Sequence, residues 1–181
     1  MTVAARVDSP ERRLHVGQGE HHVTSDPAVV LTTVLGSCVA ACLCDPLAGV
    51  GGMNHFLLPD GAGAGTDAGR RYGAYAMELL INDLLKSGAR RDRLEAKLFG
   101  GGRMFDSLRD VGEANAEFAE RFLRDEGIRV VSGSLRGMGG RRLHYWPASG
   151  RALQRSVADA AAPRPRPTPV ALPAVGELEL F

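Results

Sequence analysis

The sequence predicts an α+β protein: a single domain of mixed β-sheets packed with two or three helices, a layered α/β sandwich. Three observations carry that expectation. Short apolar runs of strand length follow one another directly instead of alternating strictly with helices, two later segments have helical periodicity, and glycine or proline marks most boundaries. With 181 residues, including 23 glycines and 10 prolines, the chain is long enough to bury one core without disulfides.

AVVLTTVL (28–35) and CVAACLC (38–44) are β-branched or small apolar runs separated by Gly36-Ser37, which suits two strands, or a strand and a buried segment, joined by a sharp turn. Asp45-Pro46 ends the second run. GVGGMNHFLLP is a third, in which Gly51-Gly52 reads as a turn leading to His55, and the glycine-rich DGAGAGTDAG that follows reads as a surface loop. In RRYGAYAMELLINDLLKSGA, Ala76, Leu79, Leu80, Leu84 and Leu85 recur at helical spacing, with Gly88 at the expected C-terminal cap. LEAKLFGG reads as a strand entering a glycine turn. GEANAEFAERFLRDEG reads as a second helix whose Ala116, Phe118, Ala119, Phe122 and Leu123 form one apolar face. IRVVS (128–132) is then a strand, and LRGMGGRRLHYWPASGRAL a hairpin with glycine turns.

The ends differ in composition from the middle. Residues 1–13 are polar and irregular, and the Pro-rich segment 156–181 favours an extended chain without a core, so the folded domain is placed at 14–155. Lys and Arg number 22 against 21 Asp and Glu, a net charge of +1, and there is no basic block; nucleic-acid binding is not expected. The N-terminus lacks the continuous apolar run of a signal peptide or a spanning helix, which points to a cytoplasmic protein without membrane insertion.

All three cysteines lie close together, at Cys38, Cys42 and Cys44. In a reducing compartment they are free thiols or metal ligands. On an extended strand the three share parity, and His55 would supply a fourth ligand. The chain has no second cysteine pair of the kind zinc sites use, so Cys42 and Cys44 read more simply as small buried hydrophobes. Cys38 follows a Leu-Gly-Ser turn, where backbone N–H groups can lower a thiol pKa and hold an oxyanion. His55 could take its proton if the two segments lie side by side. From residue types alone, a catalytic pair and two packing residues both remain open. Gly100-Gly101-Gly102 lacks the Gly-Lys-Ser/Thr of a phosphate loop and reads as a tight turn. His15, His21 and His22 are expected to be exposed, and His144 to pack in a strand.

The wording of "LGSCVAACLCDP" and "GVGGMNHFLLP" closely resembles the signature of the CheD family, chemoreceptor glutamine deamidases of prokaryotic chemotaxis. RYGAYAMELLINDLLKSGA, AKLFGGGRMF, VGEANAEFAERFL and GGRRLHYWPASGRAL resemble later blocks of that family in order, so the resemblance covers roughly 16–153. The family shows a glycine-alanine pair where Gly101-Gly102-Arg103 stands here, which bears on surface contacts. The resemblance implies Cys38 as nucleophile, His55 as general base and acid, and Thr32 as the residue orienting the histidine. Thr33 is its immediate competitor, because on a strand only one of the two can face His55. It further implies hydrolysis of receptor glutamine amides to glutamate through a thioester, with no metal or organic cofactor. The implied partners are chemoreceptor cytoplasmic domains as substrate and a CheC-type phosphatase. The rival readings are a non-catalytic adaptor, a Cys/His metal module and a cysteine hydrolase with another substrate.

Overall fold

Alternation along the central strands sorts the apolar side chains into two cores, one on each face of the same sheet. The computed structural model describes residues 10–59, 67–104 and 111–157. On β4 (Val39–Asp45), every residue is buried: Val39, Ala41 and Leu43 face one core while Ala40 and Cys42 face the other. Burial on both sides explains why this strand reads as a continuous apolar run instead of an alternating one.

Among the described residues, nine strands form two sheets. The five-stranded sheet has the order β2-β5-β4-β6-β7, from β2 (His21–Thr24), β5 (Val50–Phe56), β4, β6 (Glu95–Gly100) and β7 (Arg129–Leu135). The four-stranded sheet has the order β1-β3-β8-β9, from β1 (Arg12–His15), β3 (Val29–Leu35), β8 (Arg141–Trp146) and β9 (Arg151–Ser156). Both sheets are mixed, since β1 runs parallel to β3 and β6 parallel to β7 while the other pairings are antiparallel. Helices α1 (Asp67–Lys86) and α2 (Val111–Asp125) cover the outer face of the five-stranded sheet, giving three layers of helices, sheet and sheet. The α+β layered sandwich read from the sequence is the fold observed.

The helix-side core joins Met77, Leu80, Ile81 and Leu84 of α1 and Ala116, Phe118, Ala119 and Leu123 of α2 to the sheet. Met77 and Ile81 take the inner positions that the sequence pattern gave to Leu79 and Leu85, which are half-buried. The α1 terminus closes as anticipated: Gly88 adopts φ +97°, and the Ala89 N–H donates to the Leu84 carbonyl at 3.0 Å. The inter-sheet core is built from Leu31, Leu35, Leu143 and Tyr145 against Ala40, Cys42, Met53 and Phe99.

Some local readings change. Strand β1 begins at Arg12 and β9 ends at Ser156; the proposed Pro-rich tail lies almost wholly outside the described residues, as does most of the 60–69 loop. His21 lies in β2, where its Nε2 meets Asp83 Oδ2 of α1 at 2.8 Å. Gly51 and Gly52 do not form a turn but sit buried in the middle of β5. A Cβ on Gly51 would lie 2.3 Å from the Pro147 carbonyl oxygen, and one on Gly52 would lie 2.7 Å from that of His22 and 2.9 Å from Leu80 Cδ1. The layers approach this strand so closely that only hydrogen fits.

At the far end of β4, the Asp45 carboxylate is fully buried. Burial by itself would raise its pKa. The Arg90 and Ala48 amides and the Arg93 guanidinium outweigh that effect and hold it at about 2.

Candidate active site

The chain passes from one sheet to the other between β3 and β4, and Cys38 lies at the end of this crossing. Residue by residue, the carbonyls of the crossing are bound from one side. Gly102 N–H donates to the Gly36 carbonyl at 2.8 Å, Asn115 Nδ2 to that of Ser37 at 2.9 Å, and Gly101 N–H to that of Cys38 at 2.7 Å. Gly100 (φ +105°) and Gly101 (φ +62°) occupy the left-handed region, and a Cβ on Gly100 would fall 2.1 Å from the Cys38 oxygen. The triple glycine is therefore a turn, as its sequence suggests, but a turn shaped to grip the cysteine loop.

This grip orients a donor. A trans peptide directs its C=O and N–H oppositely, so fixing the Ser37 carbonyl toward Asn115 directs the Cys38 N–H the other way. That N–H acts on its own thiol. Burial raises the Cys38 pKa and the Cys38 backbone donor offsets part of the rise, so the thiol stands above its ordinary value. The expectation of a lowered thiol pKa is thus reversed, because the loop removes more water than its N–H groups replace.

His55 lies on β5, paired with Ala40 of β4. Cys38 precedes Ala40 by two residues and packs with it against the inter-sheet core, so it lies on the same sheet face as His55, one diagonal step away. The imidazole is held at one nitrogen only. Nδ1 lies 2.9 Å from Thr33 Oγ1 and 3.3 Å from the Val16 carbonyl. A carbonyl can only accept, so the contact with Val16 places the proton on Nδ1 and leaves the Nε2 lone pair free. Nε2 is buried and makes no hydrogen bond among the described residues. Burial lowers the His55 pKa, as does His15, while the Val16 carbonyl and Glu20 oppose the shift. Both shifts favour the uncharged forms, thiol and imidazole.

The threonine assignment is corrected by strand parity. Thr33 shares its face with the buried Leu31 and Leu35 and points into the inter-sheet layer toward His55. Thr32 points to the opposite face, where its hydroxyl donates to the Leu14 carbonyl at 3.4 Å and its neighbour in parity, Val34, is 46% exposed. It does not meet the imidazole.

Cys42 lies in the inter-sheet core and Cys44 beside Gly150, both buried, with thiol pKa values raised chiefly by that burial. No group of three or more His, Cys, Asp or Glu side chains suited to a metal ion occurs among the described residues. No described helix is long and apolar enough to cross a membrane.

Sequence reasoning did not find Asn115, the Val16 carbonyl or Gln18, whose Oε1 accepts from Cys38 Sγ at 3.6 Å. Asn115 carried a usable signal: a polar residue on the apolar face of α2, fully buried, with its Oδ1 accepting from Leu58 N–H at 2.8 Å.

The fold and site define an α+β protein with a thiol, an imidazole of fixed tautomer and an oriented backbone donor on one face of a sheet. Comparison with known proteins gives this class a family. The CheD chemotactic sensory transduction model matches residues 57–156. "Probable chemoreceptor glutamine deamidase CheD" of Caulobacter vibrioides is 64% identical over 96% of this chain and 97% of its own length. The proteins of that name from Acidiphilium cryptum and Agrobacterium fabrum are 63% and 55% identical, covering 86% and 97% of this chain and 84% and 99% of theirs. This chain belongs to the CheD family. Among solved structures, Neisseria meningitidis protein NMB0706, of family DUF152, aligns with 70% of this chain and 64% of its own at TM-score 0.45 and 16% identity, too distant a likeness to bear on function.

Proposed function

We propose that the protein is a chemoreceptor glutamine deamidase, a cysteine amidohydrolase converting receptor glutamine side chains to glutamate in the cytoplasm. The observation that carries the mechanism is the buried, unpartnered Nε2 of His55 on the same sheet face as the Cys38 thiol. A buried acceptor left unsatisfied is costly, and catalysis is a reason to retain one.

The reaction starts from the neutral pair. As Cys38 Sγ attacks the amide carbon, its proton passes to His55 Nε2, and the Cys38 N–H lies where it can stabilise the oxyanion. The imidazolium gives that proton to the departing nitrogen, the C–N bond breaks and ammonia leaves. Water, deprotonated by Nε2, then adds to the thioester; the S–C bond breaks, releasing the glutamate carboxyl and restoring the thiol. Thr33 and the Val16 carbonyl keep Nδ1 protonated throughout, a positioning role filled without a carboxylate.

The test is to incubate the protein, and Cys38→Ala, with chemoreceptor cytoplasmic fragments and map glutamine-to-glutamate mass changes on receptor peptides. Conversion by the parent and none by the variant is expected. Equal conversion by both would sink the mechanism. Binding of a CheC-type phosphatase, the adaptor property implied by the family resemblance, is separable: a pull-down with Cys38→Ala should retain it.

A further inference from the structure

The turn carrying Gln18 is pinned to the active-site strand. Within it, Gly17 N–H donates to Glu20 Oε2 at 2.8 Å and Glu20 N–H to the Gly17 carbonyl at 3.0 Å. Gly19, at φ +83°, donates to the His55 carbonyl at 2.7 Å, and His55 N–H returns a bond to the Glu20 carbonyl at 3.0 Å. From this fixed base the exposed Gln18 side chain places Oε1 3.6 Å from Cys38 Sγ. A glutamine carboxamide thus rests against the very thiol whose substrates, on the reading above, are glutamine carboxamides. In the observed contact the amide oxygen faces sulfur. The Cγ–Cδ torsion of glutamine is broad, so rotation about it can turn the face of the amide plane toward sulfur without moving the backbone. The covalent tether supplies the proximity that an external substrate must gain by binding.

We propose that Gln18 is an internal substrate of this site, slowly deamidated by Cys38, and that the product curbs the enzyme. The proposal rests on the deamidase reading. The Sγ–Cδ bond forms as the thiol proton passes to His55 and on to the leaving nitrogen, the C–N bond breaks, and ammonia departs. Water then cleaves the thioester, leaving a carboxylate at position 18 and the thiol restored. A carboxylate there, two residues from Glu20, opposes by like charge the negative charge that develops as Cys38 attacks a receptor amide.

The full-length protein and Cys38→Ala are incubated without receptor, and the peptide containing residue 18 is followed by mass spectrometry. Thermal melts confirm that both are folded. Conversion at Gln18 in the parent, at a rate independent of protein concentration, and none in Cys38→Ala is the expected result. Equal conversion in both assigns it to spontaneous cyclisation at Gln18-Gly19 and overturns the proposal. An intact Gln18 in a preparation that deamidates receptor fragments overturns it while sparing the deamidase reading; no receptor deamidation at all removes that reading instead. Gln18→Glu should deamidate receptor roughly tenfold more slowly, because its carboxylate opposes the negative charge that develops as Cys38 attacks. Rates equal to the parent would remove the curb.

Discussion

The entry to β4 and its middle carry the same side chain in different settings. Cys38, just before the strand, and Cys42 within it have the same parity and face the same inter-sheet layer. Cys42 is enclosed by apolar neighbours and serves as a small hydrophobe. Cys38 is only partly buried, meets a backbone donor and an amide oxygen, and lies on the sheet face that also carries His55. The sheet thus gives both thiols the same direction, and what lies across from each sets its chemistry.

The largest expected effect separates these thiols directly. Cys38→Ala should lower receptor deamidation by at least about a thousandfold with little change in stability, as expected for loss of a nucleophile. Cys42→Ala should keep kcat and cost about 1–2 kcal/mol, read as a lower midpoint in denaturant. An active Cys38→Ala, or an inactive but folded Cys42→Ala, would break the comparison. Next comes the threonine pair. Thr33→Val should reduce kcat roughly ten- to a hundredfold by loosening the imidazole, with Thr33→Ser restoring most of it, while Thr32→Val stays near the parent. A larger loss at Thr32 would return the positioning role to that residue.

A smaller effect is expected at Asn115. Asn115→Ala frees the Ser37 carbonyl and the Leu58 amide, costing about 1–3 kcal/mol of stability. The kcat should fall about tenfold with KM little changed, since the Cys38 donor serves the oxyanion more than the bound amide. An unchanged kcat in a folded variant would detach the Ser37 peptide from the chemistry.

The smallest effect is a displacement of pH profiles. His55 must be neutral to act and burial holds its pKa down, so kcat/KM should remain full at the ordinary imidazole value and fall only below it. Cys38 is held up, so its alkylation by iodoacetamide should keep rising with pH beyond the range in which an ordinary thiol has levelled off. A thiol fully reactive near neutrality would contradict the neutral pair.

How much of this was legible in the sequence depended on distance along the chain. The helical faces, the Gly88 cap and the apolar runs of β3 and β4 are local patterns, and they were readable. Cys38 and His55 could be singled out because both lie in one short segment with a family likeness. The threonine was ambiguous for a local reason. Motif position favoured Thr32, but a strand offers alternate faces, and the choice between Thr32 and Thr33 needs the face on which Leu31 and Leu35 are buried. The short strands β1 and β2 were hidden in polar sequence because they pair with neighbours instead of supplying much of the core. Asn115, Val16 and the grip of Gly101 and Gly102 on the cysteine loop come from remote elements and partly from backbone atoms, which residue patterns do not encode.

The paired glycines of β5 have an evolutionary consequence. With the Pro147 and His22 carbonyls and a leucine of α1 closing on Gly51 and Gly52, even alanine would act as a spacer inserted under the strand that bears His55. In a library of single substitutions, these two silent positions should tolerate as little change as the reacting residues themselves. Tolerance alone would then mark them as catalytic, although they hold no reactive group and only keep the gap closed.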